Sequence, residues 1–297
     1  MKYYLGIDGG GTRTTAAVSD NSGKILLKKT GKTINFYSVG MHTAKENLDS
    51  LINTVSNEIG CNNFEGVFIG CSALDSEADE KTLSDLCSGI NAKNIAMNSD
   101  LYIALKSLDS DKCPCVAVCG TGSMAIGEDT NGHTVIAGGW GHIIGDEGSG
   151  YSIAVNAFNK CCELCDEGVS TPLLEAANEF FAINDFRKAI DIIYSSETTK
   201  DIIAGFAEKV SDVSEFDISA RNIVIEEAHK FAKTVIILLQ KVKSCKVLGL
   251  YGGIFQHNPL FRQTFESDIK TLFPLTETKL LTTPPEESAL KLARELK

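Results

Sequence analysis

Short apolar runs closed by glycine turns alternate along this chain with stretches whose apolar positions recur every three to four residues. Tyr3 to Asp8 is the first run, a strand that empties into Gly9-Gly10-Gly11-Thr12-Arg13-Thr14-Thr15. Thr15 to Ser19 and Lys24 to Lys29 read as two more strands around an Asn21-Ser22-Gly23 hairpin turn. The period then lengthens, and Leu48, Leu51, Ile52 and Val55 share one face of a helix over 43–59. A buried strand over 67–70, a helix over 77–87, a strand over 94–97 and a helix over 101–108 follow. At Cys113 the opening pattern starts again: strand 115–119, the turn Gly120-Thr121-Gly122-Ser123, strand 124–127, a polar turn, strand 134–137. Strand, Gly/Thr turn, strand, polar turn, strand is the order already met at the N-terminus. That repetition predicts an internal duplication and two related α/β lobes, each offering a phosphate-sized turn to a cleft between them. Residues 149–244 read as mostly helical, with Ile223, Val224, Ala228, Phe231, Val235 and Leu238 at helical spacing in a long segment over 220–242. A strand over 246–251 ending in Gly252-Gly253, a helix over 258–272, a short strand over 279–281 and a closing helix over 286–296 complete the chain.

The stretch around which the rest is organised runs from Gly139-Trp140-Gly141-His142 to Gly145-Asp146-Glu147-Gly148-Ser149-Gly150. Its five glycines in twelve residues make a backbone able to lie against a ligand, with an acidic pair at the centre. A lone glycine-rich loop of this kind is as well explained as a tight connector between a strand and a buried helix. Here it stands beside two Gly/Thr turns of the same look, at 8–15 and 119–123, and the set argues for phosphate binding. In the first turn Gly10 and Gly11 let the backbone approach an anion, while Thr12, Thr14 and Thr15 add hydroxyl donors. Asp8, at the strand end, is placed to hold Mg2+ through water. Asp100 falls at a strand-to-helix junction, on the sheet edge where α/β proteins put ligands. An aspartate there caps helices as often as it binds anything, and the two roles are compatible.

Composition narrows the classes. A 43% hydrophobic and 23% charged chain of 297 residues has enough apolar material for a sizeable core. Its net charge of −11, with no long basic cluster, argues against nucleic acid or an anionic membrane as a partner. No apolar run reaches a membrane span, and Met1-Lys2-Tyr3-Tyr4-Leu5 lacks the pattern of a signal peptide, so a cytoplasmic protein is expected. The ten cysteines do not pair by spacing and read mainly as buried free thiols.

The motifs Gly6-Ile7-Asp8-Gly9-Gly10-Gly11-Thr12-Arg13, Cys119-Gly120-Thr121-Gly122-Ser123 and Gly139-Trp140-Gly141-His142 with Gly145-Asp146-Glu147-Gly148-Ser149-Gly150 resemble the actin-like ATPase and sugar kinase superfamily. The nearest likeness is to the N-acetylglucosamine kinase branch of the BadF/BadG/BcrA/BcrD ATPase family. Ala204-Gly205-Phe206 and Gly252-Gly253 fit as well, so the resemblance spans the chain. It implies an α/β fold of two duplicated actin-like (ribonuclease H-like) lobes with an interlobe cleft, residues 1–112 and 113–285. It also implies that the closing helix, 286–297, packs back on the first lobe, and the apolar Ala289, Leu290, Leu292, Ala293 and Leu296 suit it for that.

By the same resemblance Thr12, Arg13 and Thr121 bracket the phosphates of ATP, in turns built with Gly10, Gly11, Thr14 and Gly120. Ala204, Gly252 and Gly253 lie against adenosine. Asp100 is the catalytic base. Asn35 and Asp146, with the Gly139-Trp140-Gly141 backbone, hold the sugar. The implied reaction is ATP- and Mg2+-dependent phosphorylation of the 6-hydroxyl of N-acetylglucosamine, N-acetylmuramic acid or both, by a homodimer. Glucosamine and glucose are further candidates. Cys119 replaces the serine common before GTGS, and Cys71-Ser72-Ala73-Leu74 departs from the small-residue turn of many relatives. The competing expectation is an ATPase activator of a dehydratase or reductase carrying an Fe–S cluster, for which Cys161, Cys162 and Cys165 are the cysteine-rich stretch.

Overall fold

The strands of the N-terminal third pair in the order their turns dictate. A computed structural model describes residues 2–74, 77–108 and 113–297. It divides the chain into two compact units, Met1–Asp109 with Thr282–Lys297, and Ser110–Leu281. The boundary expected at residue 112 lies outside the described residues.

In the first unit β1 (Tyr3–Gly9) pairs antiparallel with β2 (Arg13–Asp20), from Tyr3 opposite Asp20 to Gly9 opposite Thr14. β2 continues antiparallel into β3 (Ile25–Lys32). The Asp20 carboxylate accepts from the Ser22 and Lys24 N–H groups at 2.8 and 3.2 Å and closes the turn between them. A short helix α1 (Phe36–Val39) leads into α2 (Met41–Ile59), whose Leu48, Leu51, Ile52 and Val55 are buried on one face. Gly60, in the left-handed conformation, ends it. β4 (Phe64–Cys71) and β5 (Ala92–Asn98) then add in parallel, with α3 (Glu80–Cys87) between them and α4 (Asp100–Lys106) after. The sheet order is β3-β2-β1-β4-β5. α3 starts three residues later than the sequence predicts. The Asp79 side chain accepts from the Thr82 N–H at 2.7 Å, and a capping residue stands outside the helix it starts.

The C-terminal helix Pro285–Glu295 belongs to this unit: Ala289 and Ala293 are buried with Phe68 and Ile103. Its backbone rides directly on two strands. A Cβ on Gly6 of β1 would collide with the backbone of Leu290, and one on Gly66 of β4 with the carbonyl of Ala293. Only glycine admits a helix this close.

The second unit repeats the plan. β6 (Cys115–Cys119), β7 (Ser123–Glu128) and β8 (Thr134–Gly138) form an antiparallel meander. α5 (Gly150–Glu167), α6 (Pro172–Phe180), α7 (Ala189–Ile193), α8 (Lys200–Val213) and α9 (Ile218–Val242) follow. The chain then re-enters the sheet as β9 (Val247–Tyr251), passes through α10 (Gly253–His257) and α11 (Pro259–Leu272), and ends as β10 (Glu277–Leu280). β9 lies parallel to β6 and β10 parallel to β9, giving β8-β7-β6-β9-β10, the topology of the first unit. The predicted duplication is thus visible strand for strand. Phe231, Phe255, Phe261 and Phe265 are fully buried between α9 and the segments after β9, and Phe158 of α5 stacks on Phe206 of α8 at 4.6 Å. Each such ring contributes about 1.5–3 kcal/mol of burial, so this cluster holds the helical layer to the sheet. All ten cysteines are free thiols, six of them buried. Among the described residues no helix is long and apolar enough to cross a membrane.

Candidate functional site

The carboxyl edge of the first sheet gathers acid. Asp8 stands next to last in β1, opposite Gly70 of β4, and Asp100 opens α4 just after β5. Burial pushes Asp8 up to about 7, the charges of Asp100 and Glu286 add to the rise, and Arg13 opposes it. Burial likewise raises Asp100 to about 6, against the N–H groups of Leu101 and of Asp100 itself. The cap of α4 is Ser99, whose hydroxyl accepts from the Tyr102 N–H at 3.1 Å. Asp100 is therefore not needed to start its helix. A carboxylate whose ordinary charge is resisted by its surroundings is suited to take a proton. Hard cations prefer carboxylate and water oxygens, so Asp8 beside Asp100 is a donor set that fits hydrated Mg2+.

Around this edge the structure distributes the other expected residues unevenly. Gly11, Thr12 and Arg13 are exposed on the first turn. Thr14 is fully buried, and its hydroxyl accepts from the Ile34 N–H at 3.1 Å, so it braces the turn from inside and does not present a donor at its face. The Gly10 carbonyl accepts from the Thr33 hydroxyl at 2.8 Å. Asn35 caps α1, its Oδ1 accepting from Tyr37 and Ser38 at 3.1 Å each, while Nδ2 donates to Ser72 Oγ at 3.0 Å.

In the second unit a cavity of about 650 Å3 is walled by Gly120, Thr121, Gly150, Ala204, Gly205 and Gly253. Gly120 and Thr121 come from the β6–β7 turn, Ala204 from α8 and Gly253 from the start of α10, just after β9. Sequence reasoning singled out all four, and folding brings them to one wall. The turn carbonyls of Gly120 and Thr121 accept from Gly150 and Tyr151 at 2.8 and 3.4 Å, binding the turn to the start of α5. Gly252 has φ 112°, and a Cβ there would run into the Cys119 carbonyl, so the strand end is pressed onto the turn. The volume is that of an ordinary small-molecule site. Side walls without Cβ atoms suit a flat base and close approach to phosphate, while Asp201, Glu208 and Asp212 on the rim offer acceptors for ribose hydroxyls. A nucleotide fits this wall.

The glycine-rich loop is fastened to the same turn. Ser123 Oγ donates to the Glu147 carbonyl at 2.7 Å, and the Gly139 N–H to the Ser123 carbonyl at 3.2 Å. Gly139 and Gly141 take φ of 74° and 84°, and Trp140 between them is 75% exposed. Asp146 is buried, and its carboxylate forms an ion pair with Lys200 Nζ at 2.7 Å. Glu227, on the buried face of α9, accepts from the Gly148 N–H at 2.8 Å, from Asn156 Nδ2 at 3.1 Å and from Lys230 Nζ at 2.6 Å. Sequence reasoning missed both Lys200 and Glu227. Glu227 carried a signal: it falls three residues after Val224 and four before Phe231, on the stripe that periodicity assigns to the core. Lys200 carried none, since a lysine at a helix start is unremarkable. Cys161, Cys162 and Cys165 do not converge. Cys161 is buried with Sγ 3.8 Å from the Leu173 carbonyl, and Cys162 is exposed. Among the described residues no group of three or more His, Cys, Asp or Glu is arranged to hold a metal ion.

Comparison with known proteins places these features in company. The profile of the BadF/BadG/BcrA/BcrD ATPase family matches residues 5–271. The N-acetylmuramic acid/N-acetylglucosamine kinase of Clostridium acetobutylicum is 29% identical over 92% of this chain and 92% of that one. The N-acetyl-D-glucosamine kinase of Dictyostelium discoideum is 26% identical over 98% of each. A solved structure from Chromobacterium violaceum, provisionally named an N-acetylglucosamine kinase, aligns with a TM-score of 0.79 at 20% identity, covering 99% of both chains. At that identity the likeness establishes the fold.

Proposed function

The chain belongs to the BadF/BadG/BcrA/BcrD ATPase family and is an ATP-dependent sugar kinase, and we propose that its acceptor is the 6-hydroxyl of N-acetylglucosamine, N-acetylmuramic acid or both. The observation that supports this reading is the cavity of about 650 Å3 walled by Gly120, Thr121, Ala204 and Gly253, which brings small residues from distant parts of the chain to one wall. The names of the curated relatives supply the substrate class.

When bound, ATP supplies the phosphoryl group and Mg2+ neutralises its charge. The Gly120-Thr121 backbone cradles the phosphates, with Thr12 and Arg13 on the other Gly/Thr turn, and Gly252-Gly253 and Ala204 lie against adenosine. Asp8 would hold the metal through water. Asp100 accepts the hydroxyl proton as the sugar oxygen attacks phosphorus. A carboxylate of raised affinity for protons is matched to that task near neutrality, since an alcohol is a poor nucleophile until its proton has somewhere to go. Asn35 and Asp146, with the loop backbone of Gly139, Trp140 and Gly141, orient the sugar. Positioning and charge neutralisation do the remainder, and neither needs a basic cluster on an acidic protein. The proposal extends to a homodimer, which light scattering of the purified protein would test.

The direct test is ADP release over a panel of sugars with the phosphate position read by NMR. ADP should appear with an N-acetylated amino sugar, in step with a 6-phosphate. A 6-deoxy analogue should stay unmodified. Equal ADP release with and without every sugar would overturn the kinase reading.

A further inference from the structure

The first turns of α8 carry two kinds of residue. Ala204 and Gly205 wall the cavity of about 650 Å3 together with Gly120 and Thr121. Lys200, at the first helical position after the Thr199 cap, reaches a different partner, with Nζ 2.7 Å from Asp146 Oδ2. Asp146 is only 4% exposed, and its φ of 61° is the left-handed conformation that residues other than glycine seldom take. A carboxylate withdrawn from water in this way depends on its counter-charge, because a buried charge without a partner loses solvation and receives nothing back. The pair also stands against the second Gly/Thr turn. A Cβ on Gly122 would lie 2.8 Å from Asp146 Oδ2 and 3.1 Å from Lys200 Nζ. Nor is it sealed in the core. The Lys200 side chain is 30% exposed and lines a second cavity, of about 660 Å3, with His142, Tyr151 and Ile203.

We propose that Lys200 is the positioning residue of the acceptor site: it aims the Asp146 carboxylate at the sugar and ties that carboxylate to the helix that walls the nucleotide cavity. This rests on the reading of Asp146 as a sugar ligand. The ammonium has three donors and no acceptor, so it can grip one carboxylate oxygen without competing for a sugar hydroxyl that donates to the other. The pair is neutral as a unit, and a neutral sugar hydroxyl can settle on it without stranding a charge. The link also gives α8 a second task. One face of the helix meets the nucleotide while its first residue fixes the group that meets the acceptor.

The experiment is a double-variant comparison of Lys200→Met, Asp146→Asn and the two combined, with Lys200→Arg as the conservative control. Initial rates are measured against N-acetylglucosamine at saturating ATP, and against ATP at saturating sugar. Lys200→Met should raise the sugar KM roughly 10–100-fold while the ATP KM moves less than about threefold. Lys200→Arg, which keeps the charge, should recover most of that loss. The combined variant should bind sugar no worse than Asp146→Asn alone, because Lys200 acts through Asp146. Multiplied effects in the combined variant would show that Lys200 acts on its own and would overturn the proposal. An unchanged sugar KM in Lys200→Met beside a raised one in Asp146→Asn would overturn it too, while leaving Asp146 as a ligand. An unchanged sugar KM in Asp146→Asn would withdraw the reading of Asp146, and the proposal with it. If Lys200→Met does not fold, Lys200→Gln, which keeps a donor but loses the charge, enters the same comparison and is judged by the same criteria.

Discussion

At the scale of single residues, two aspartates at one sheet edge put the proposed chemistry to the test. Asp100→Asn keeps the shape of the side chain and removes the proposed proton acceptor, and Ser99 still caps α4. Its kcat should fall by about 10²–10⁴ with sugar KM little changed. In the unaltered enzyme kcat should decline on the acid side of about pH 6, where Asp100 becomes protonated, and the variant's residual rate should lack that limb. A near-normal kcat in folded Asp100→Asn would remove it from the mechanism. Asp8 makes a different prediction. Its native carboxyl, at about 7 against an ordinary 3.8, holds a proton that the unfolded chain has already released between those values. The stability this group contributes is complete below about pH 4 and is lost as pH rises through 7. Asp8→Asn, without metal or nucleotide, should therefore gain in Tm relative to the parent as pH goes from 5 to 8. A Tm difference that stays level across that range would contradict the assigned burial and charge crowding.

At the scale of elements, the long helix α9 fixes the glycine-rich loop through one side chain. Glu227 is 1% exposed and is shared by the Gly148 N–H, Asn156 and Lys230. Glu227→Ala would leave a buried N–H and an ammonium without their acceptor, at a cost of about 2–4 kcal/mol. Glu227→Gln can still accept from Gly148 and should cost less, having lost the charge that Lys230 meets. Urea unfolding of the two variants measures this, and equal losses would mean that the acceptor glutamine retains contributes nothing beyond the lost charge. The same loop shows why a strand-to-helix connection can be both tight and functional. Ser149 caps α5 while its neighbours are bonded to the β6–β7 turn, so the helix start, the turn and the loop are tied to one another.

At the scale of the molecule, the chain finishes where it began. The helix Pro285–Glu295 packs on β1 and β4, more than two hundred residues away in sequence, and buries Ala289 and Ala293 against Phe68 and Ile103. Lys28 of β3 is paired with Glu286 at 2.8 Å, a second tie between the chain ends. A chain ending at residue 284 should expose that face of the sheet. Limited proteolysis should then cut the first unit early and leave a resistant fragment from the second, whose Phe-rich core is intact. Gly66→Val in the full chain should act in the same direction by forcing the helix off β4. Simultaneous loss of both units in the truncated chain would show that neither stands without the other.

Periodicity and turn chemistry made the elements legible in the sequence. Leu48, Leu51, Ile52 and Val55 declare α2, Asn21-Ser22-Gly23 declares the β2–β3 hairpin, and the repeated strand-turn order announces two sheets of one topology. These are local properties, set by backbone conformation and by which face of an element is apolar, and neighbouring residues suffice to read them. The glycine turns were legible for the same reason, and so was Asp100 at its strand end. What needed the tertiary structure is every property that depends on a residue distant in sequence. Thr14 has a donor's chemistry yet is turned inward because Ile34 claims its hydroxyl. Asp146 looks like an open ligand until Lys200, from the start of another helix, is found against it. Asp8 is an ordinary aspartate in sequence, and its raised proton affinity comes from burial and from the charges of Asp100 and Glu286. Ion pairing and desolvation fall off over a few ångströms, so they are decided by which segments the fold brings together, and a linear pattern does not encode that distance.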